Sequence, residues 1–239
     1  EMECIVAKIF GSESLKEAAI ELFMKTHGGR SFVHGHMFGD NVHEYLAPCI
    51  YEGEGEMLGM AFFKSLVKEH GKRFFEPIGK RAAALGLQKP NPLNPTHAWG
   101  LRHEMVSYGW WKLAQVWRGW RRPRLDLKCR RLAALARFAT DGLQAFRLEL
   151  DAMMVQHQLK LPDRQCSIAE VSQRIQDHVV ILTTALWADA QDDPIVRDAA
   201  VVLGSELRCQ LTGTRMTGRE IREVTRLGEA IVENGFEAI

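Results

Sequence analysis

Glu52 is the residue best placed to do chemistry in this sequence. It stands in Ile50-Tyr51-Glu52-Gly53, downstream of His27-Gly28-Gly29 and directly before a helix-like apolar pattern. A carboxylate beside a flexible glycine at the entrance to a helix can act as a general base in a substrate cleft. Burial against Tyr51 would move that carboxyl toward the range useful for abstracting a proton. Gly53 would let a ligand carbonyl approach the backbone closely. Taken alone, Tyr-Glu-Gly reads better as a surface glutamate near a helix start. The distance from the Gly-Gly pair and the helices on either side set it apart.

Those helices follow from periodicity. Ile5, Ile9, Leu15, Ala18, Ala19, Leu22 and Phe23 recur at helical spacing from about Met2 to Thr26. Gly11-Ser12 marks a possible kink, and Gly28-Gly29 stops the helix because glycine readily takes the left-handed conformation. Residues 30 to 50 read as loop, punctuated by Gly35, Gly39, Asp40-Asn41 and Pro48. A second helix spans about Glu54 to His70, with Glu54 and Glu56 complementing its dipole and Gly71 ending it.

Lys89-Pro90-Asn91-Pro92-Leu93-Asn94-Pro95 reads as a linker, since closely spaced prolines exclude a helix. It divides the chain into residues 1–85, a linker at 86–97 and a second domain at 98–239. The second domain predicts a helix from about Leu125 to Leu159, with Leu143, Phe146, Leu150 and Met153 on one face. Ser167-Ile168-Ala169-Glu170 is a capping-box pattern opening a helix through Val171, Ile175, Val179 and Leu182. Asp193-Pro194 is an N-cap with proline at the first helical position, before Ile195, Ala199, Val202 and Leu203. Thr217-Gly218-Arg219-Glu220 is a second capping box, leading into Ile221, Val224 and Ile231, with Gly235 closing. No alternating strand pattern stands out. The predicted fold is all-α, built of antiparallel helix bundles.

The ordered set Ala7-Lys8-Ile9-Phe10, Thr26-His27-Gly28-Gly29, Ile50-Tyr51-Glu52-Gly53 and Glu56 resembles the C-terminal helical domain of acyl-CoA dehydrogenases. The resemblance covers roughly the first 75 residues. It implies that the chain carries the last helices of that domain followed by an appended helical bundle, a layout similar to very-long-chain acyl-CoA dehydrogenases. It implies further that Glu52 removes the α-proton of an acyl-CoA thioester while the β-hydrogen leaves as hydride to FAD. Tyr51 and Gly53 would line the substrate cleft. Gly28 and Gly29 would pass close to the flavin dinucleotide, with Glu54 and Glu56 as flavin neighbours. A homo-oligomer and an electron-transfer flavoprotein as acceptor are the partners implied. Glu54 stands where threonine is usual, Lys25 where glutamine is common, and His43-Glu44 where Arg-Asp is familiar. A charge at Glu54 near a diphosphate would need Lys25 or Arg30 to offset it. The chain opens inside a helical pattern, as a segment of something longer would, and by itself is expected to hold no flavin. The rival reading is a non-catalytic helical interaction module or membrane-surface module retaining the family scaffold.

Composition is that of an ordinary globular protein: 239 residues, 46% hydrophobic, 26% charged and a net charge of +1. No global pull toward nucleic acid follows. Cys4, Cys49, Cys129, Cys166 and Cys209 are odd in number, without metal spacing, and fit a reducing intracellular (cytoplasmic) compartment better than a disulfide framework or a metal site. The charge is nevertheless uneven. Nine Lys/Arg stand between Arg102 and Arg131 against Glu104 and Asp126, a local charge of +7. Five of six tryptophans (Trp99, Trp110, Trp111, Trp117 and Trp120) lie in or beside this span. Trp with Arg from Trp99 to Arg131 reads either as a membrane-surface contact or as interior packing with snorkelling arginines. No recognised nucleic-acid motif accompanies the charge. His157 and His178 lie on helical segments with no matching acid in the sequence pattern.

Overall fold

A computed structural model describes residues 2–87, 94–118 and 123–235. All regular structure among them is helical, as the periodicity predicts. The heart of the proline-rich linker, and Trp120, Arg121 and Arg122 of the basic segment, lie outside the described residues. The chain forms two compact units, one of residues 1–66 and 164–173, the other of residues 67–163 and 174–239. Residues 67–85, which the sequence places with the first segment, cluster with the second unit.

In the first unit, α1 (Met2–Lys16) runs on through a π-helical stretch (Glu17–Met24) into the short α2 (Lys25–His27). Gly11-Ser12 does not break it. Gly11 is exposed, while the buried Ser12 hydroxyl bonds back to the Ile9 carbonyl at 3.1 Å, so neither residue leaves a polar group unmet. Gly28, at φ 58, closes the run. The segment expected to be loop contains a helix, α3 (Val42–Ile50), with Pro48 inside it. Val42, Tyr45 and Cys49 form its half-buried face, and Tyr45 meets Phe38, which stacks on Phe23 at 5.0 Å. That i, i+3, i+7 spacing was present in the sequence, hidden by the weight given to proline and glycine.

α4 (Gly55–His70) buries Phe62 and Phe63, and the Ser172 hydroxyl donates to the Gly59 carbonyl at 2.8 Å. Gly71 does not end the helical path, which continues as a π turn (Gly71–Phe75) into α5 (Glu76–Ala84). A helical glycine costs about 1 kcal/mol. Burying Phe74 offsets that with about 1.5–3 kcal/mol.

The second unit continues with α6 (Pro95–Gly100), α7 (Arg102–Arg118), α8 (Arg130–His157), α9 (Gln165–Asp189), α10 (Pro194–Thr212) and α11 (Gly218–Asn234). Residues 164–173, the start of α9 included, belong to the first unit. The core of the second unit gathers Leu132, Ala136, Ala185, Ala188, Ala200 and Val201. α8 starts later than its periodicity predicts, because the Lys128 and Cys129 N–H groups both donate at 2.8 Å to the Asp189 carboxylate. Those two backbone bonds hold Asp189 below the usual carboxylate range.

Asp193 caps α10 through the Ile195 N–H at 2.7 Å, with Pro194 at the first position. Thr217 and Glu220 close a reciprocal capping box on α11. Both features are as the sequence predicts. The Ser167 capping box is not formed: α9 begins two residues earlier, placing Ser167 inside its first turn. In α10 the buried stripe is Val196, Ala200, Gly204 and Leu207, one position on from the half-buried Ile195, Ala199 and Leu203. Gly204 explains the shift, since Leu135 occupies the space where its Cβ would stand. On α11, Ile221 and Val224 are exposed rather than buried.

A buried polar cluster organises the second unit. Asp151 on α8 is 1% exposed and accepts hydrogen bonds from the Tyr108 hydroxyl at 2.7 and 2.8 Å. His70 Nε2 lies 2.9 Å and Lys112 Nζ 3.1 Å from the same carboxylate. Phe74 and Trp111 pack against the His70 ring. Burial and the Asp151 carboxylate push the Tyr108 hydroxyl from 10.0 up to about 12.

Because the folded value is raised, neutral Tyr108 contributes stability that is fully present below about pH 10 and lost as pH rises through about 12. Urea midpoints measured across that window should fall in the native protein and fall less steeply in Tyr108→Phe. An equal pH slope in both proteins would contradict this origin. A second expectation concerns Gly142, where an added Cβ would lie 2.0 Å from Nε2 of the buried His178. That ring is fixed by Phe138 stacked at 5.2 Å, Phe146 at its edge, and the Arg174 carbonyl 2.7 Å from Nδ1. Gly142→Ala should destabilise by about 1–3 kcal/mol, as overpacking does, read as a lower denaturation midpoint with an unchanged m-value.

Candidate functional site

The last residues of α3 and the entry to α4 form a tight corner. The Tyr51 N–H closes α3 on the Ala47 carbonyl at 2.9 Å. Glu52 and Gly53 then both take positive φ, 60 and 107. Left-handed backbone is costly for a residue with a Cβ, so Glu52 is strained and Gly53 is not. An added Cβ on Gly53 would in addition stand 2.9 Å from the Leu58 side chain. Glu54 follows as the cap of α4: one carboxylate oxygen accepts the N–H groups of Glu56 at 2.9 Å and Met57 at 3.1 Å. Capping through a side-chain oxygen is also what a threonine does at a helix start.

This corner forms one wall of an open cleft of about 410 Å³. Its lining comprises Ala7, Lys8, Gly11, Ser12 and Leu15 from α1, Pro48 from α3, and Tyr51 and Glu52. Lys8 donates its ammonium to the Gly53 carbonyl, joining α1 to the corner. Behind the wall, the Cys49 thiol donates to the Ser12 carbonyl at 3.3 Å, and burial pushes that thiol up, away from the thiolate. The wall therefore presents one carboxylate, one ammonium and one phenol to a largely apolar floor.

Two of the residues singled out by sequence, Tyr51 and Glu52, come together here, and Gly53 sits directly behind them. The expected burial of Glu52 against Tyr51 does not occur: Tyr51 is 69% exposed and Glu52 is exposed. Gly28, Gly29, Glu54 and Glu56 are not among the lining residues. Gly28 and Gly29 face open space, where an added Cβ would meet nothing within 4 Å. Their backbone is thus accessible. Glu54 and Glu56 do not fit the diphosphate of a flavin dinucleotide. Both are exposed carboxylates, and Glu54 is engaged in capping. Lys25, which with Arg30 is one of two cations that could offset Glu54, pairs with Glu21 one turn back. On either side of Gly28-Gly29, His27 and His36 share a ring hydrogen bond of 2.8 Å.

The Lys8 bond is not legible in the sequence, since nothing local signals a bond to a carbonyl 45 positions on. The same holds for the Asp151 cluster, since its members come from three separated segments.

Three of the described tryptophans in the basic segment are on the surface, with Trp99 71%, Trp110 67% and Trp117 72% exposed. Interior packing therefore accounts for Trp111 and not for these. On α7, Val106, Trp110, Leu113 and Trp117 follow one another at steps of four, three and four, a single exposed stripe. The opposite face of α7 carries Tyr108, Trp111 and the buried Gln115. No helix among the described residues is long and apolar enough to cross a membrane. No group of three or more His, Cys, Asp or Glu among them could hold a metal ion. No protein-family model, curated protein or solved structure matches this chain.

Proposed function

We propose that residues 1–85 are the C-terminal part of the helical domain of a flavin-dependent acyl-CoA dehydrogenase, with Glu52 as the base that removes the α-proton of an acyl-CoA thioester. One observation carries this reading. Ala7-Lys8 and Tyr51-Glu52, two of the separated segments on which the resemblance rests, meet in a single open cleft with the Glu52 carboxylate on its wall. In the proposed step the α C–H bond breaks, the proton passes to Glu52, and the electron pair moves into the thioester carbonyl as an enolate. Hydrogen-bond donors at that carbonyl are what make the proton acidic enough to leave. A flavin, when bound, would supply the two-electron acceptor for the β-hydrogen, and the enolate electron pair would then close the α,β double bond. With Glu54 and Glu56 ill suited to its diphosphate, the groups that hold it are assigned to other protein surfaces.

Exposed apolar side chains on the first unit support such covering surfaces. Phe32 is 87% exposed, and Val33, Met37, Ile50, Tyr51 and Met57 are likewise open. Packing of these residues against further segments or a second subunit would account for them. The rival, a non-catalytic helical module, uses the same scaffold without the base. In the flavoenzyme carrying this chain, Glu52→Gln should lower dehydrogenation by about 10²–10⁴-fold with flavin content unchanged. Activity close to that of the unsubstituted enzyme would remove Glu52 from the mechanism.

A second reading concerns residues 98–239 and rests on the exposed stripe of α7. We propose that Trp110, Trp117 and their aliphatic neighbours rest on an anionic lipid surface, helped by the +7 charge of the segment. The positive charge of the segment favours acidic headgroups over neutral ones. Vesicles containing phosphatidylserine should pellet the protein at low salt and release much of it at high salt. Absence of binding to anionic vesicles at low salt would end this reading.

A further inference from the structure

We infer that Lys8 is the positioning residue that sets the direction of the Glu52 carboxylate. The inference rests on the reading of Glu52 as a base, and it is carried by backbone geometry. Glu52 and Gly53 are consecutive left-handed residues, and Glu52 is one of two non-glycine residues with positive φ among those described. Such a conformation persists only where the surroundings over-determine it.

Three constraints act on this corner. The Tyr51 N–H is fixed to the end of α3, and the Glu54 carboxylate is fixed to the start of α4. The third is the Lys8 ammonium, which reaches from α1 to the Gly53 carbonyl, on the residue that directly follows Glu52. The Gly53 carbonyl belongs to the peptide that joins Gly53 to Glu54, so the Lys8 bond limits Gly53 ψ and, with the Tyr51 N–H fixed on the other side, limits the backbone of Glu52 from which its side chain leaves the chain. Because Lys8 itself lines the cleft, the same bond draws the corner against α1. Removing the donor would free the corner to relax toward ordinary backbone and swing the carboxylate away from the cleft. A long cationic donor is the feature required, so arginine can substitute and methionine cannot.

The test pairs a structural readout with a kinetic one. In ¹H–¹⁵N spectra of the 239-residue chain, Lys8→Met should move the Glu52 and Gly53 amides and leave those of Gly213 and Gly235 in place, while Lys8→Arg should largely restore them. In the flavoenzyme carrying this chain, Lys8→Met should lower kcat by about 10–100-fold, since a displacement on the order of 1 Å has that effect. KM for the acyl-CoA and the flavin content should stay unchanged, and Lys8→Arg should recover most of kcat. Full kcat in Lys8→Met, with Glu52→Gln inactive, would overturn the role of Lys8 and leave the base standing. Unmoved Glu52 and Gly53 amides would overturn it as well. Full activity in Glu52→Gln would overturn both assignments.

Discussion

A carboxylate taken out of water must be met by donors, and in the second unit that requirement falls on Asp151. Its donors are supplied by the end of α4 through His70 and by α7 through Tyr108 and Lys112, while the carboxylate itself comes from the middle of α8. An uncompensated buried charge is among the most destabilising features a fold can carry. The three segments are therefore constrained together by chemistry as well as by apolar burial. The constraint also explains why the helical path does not end at Gly71. Stopping there would separate His70 from Phe74, and both are needed, one as donor and the other to seal the cluster. With α7 held by Tyr108 and Trp111 on one face, Trp110 and Trp117 are turned to the other.

The first unit is organised on a different principle. Its notable feature is a corner in which two successive residues are left-handed, flanked by two helices whose ends are satisfied locally. Strain of this kind persists only where the surrounding structure over-determines it. Here it presents a carboxylate to an open cleft and places an ammonium from another helix at its back. Glu54 caps the start of α4 by accepting the Glu56 and Met57 N–H groups, which fixes the far side of the corner and adds a negative charge beside it.

Much of the helical plan was legible in the sequence, because it depends on local signals. Asp193-Pro194 and Thr217 to Glu220 are complete capping devices within a few residues, and both form. Apolar periodicity places α1, α4, α8 and α10 within a few residues. Two of the misplacements share one cause, a local breaker outweighed by burial. Pro48 lies inside α3, and Gly71 lies within a helical path held by Phe74. Ser167 was displaced as a cap because α9 begins two residues earlier. At the site, Tyr51, Glu52 and Gly53 were legible as a short run of suitable residue types. The Lys8 bond and the exposure of Glu52 were not, since both depend on which distant segments stand nearby.

The sequence by itself determined that the chain is helical and where several of its helices begin and end. These are consequences of hydrogen-bond patterns and side-chain periodicities that span one or two turns. Only the tertiary structure decided that Ala7, Lys8 and Glu52 share a cleft, that Asp151 is buried among three donors, and that Trp110 and Trp117 of α7 face outward. Each of these is a meeting of residues dozens of positions apart, such as the 45 between Lys8 and Gly53 or the 81 between His70 and Asp151. No local propensity encodes such a meeting. It is set by which faces the whole chain can bury at once.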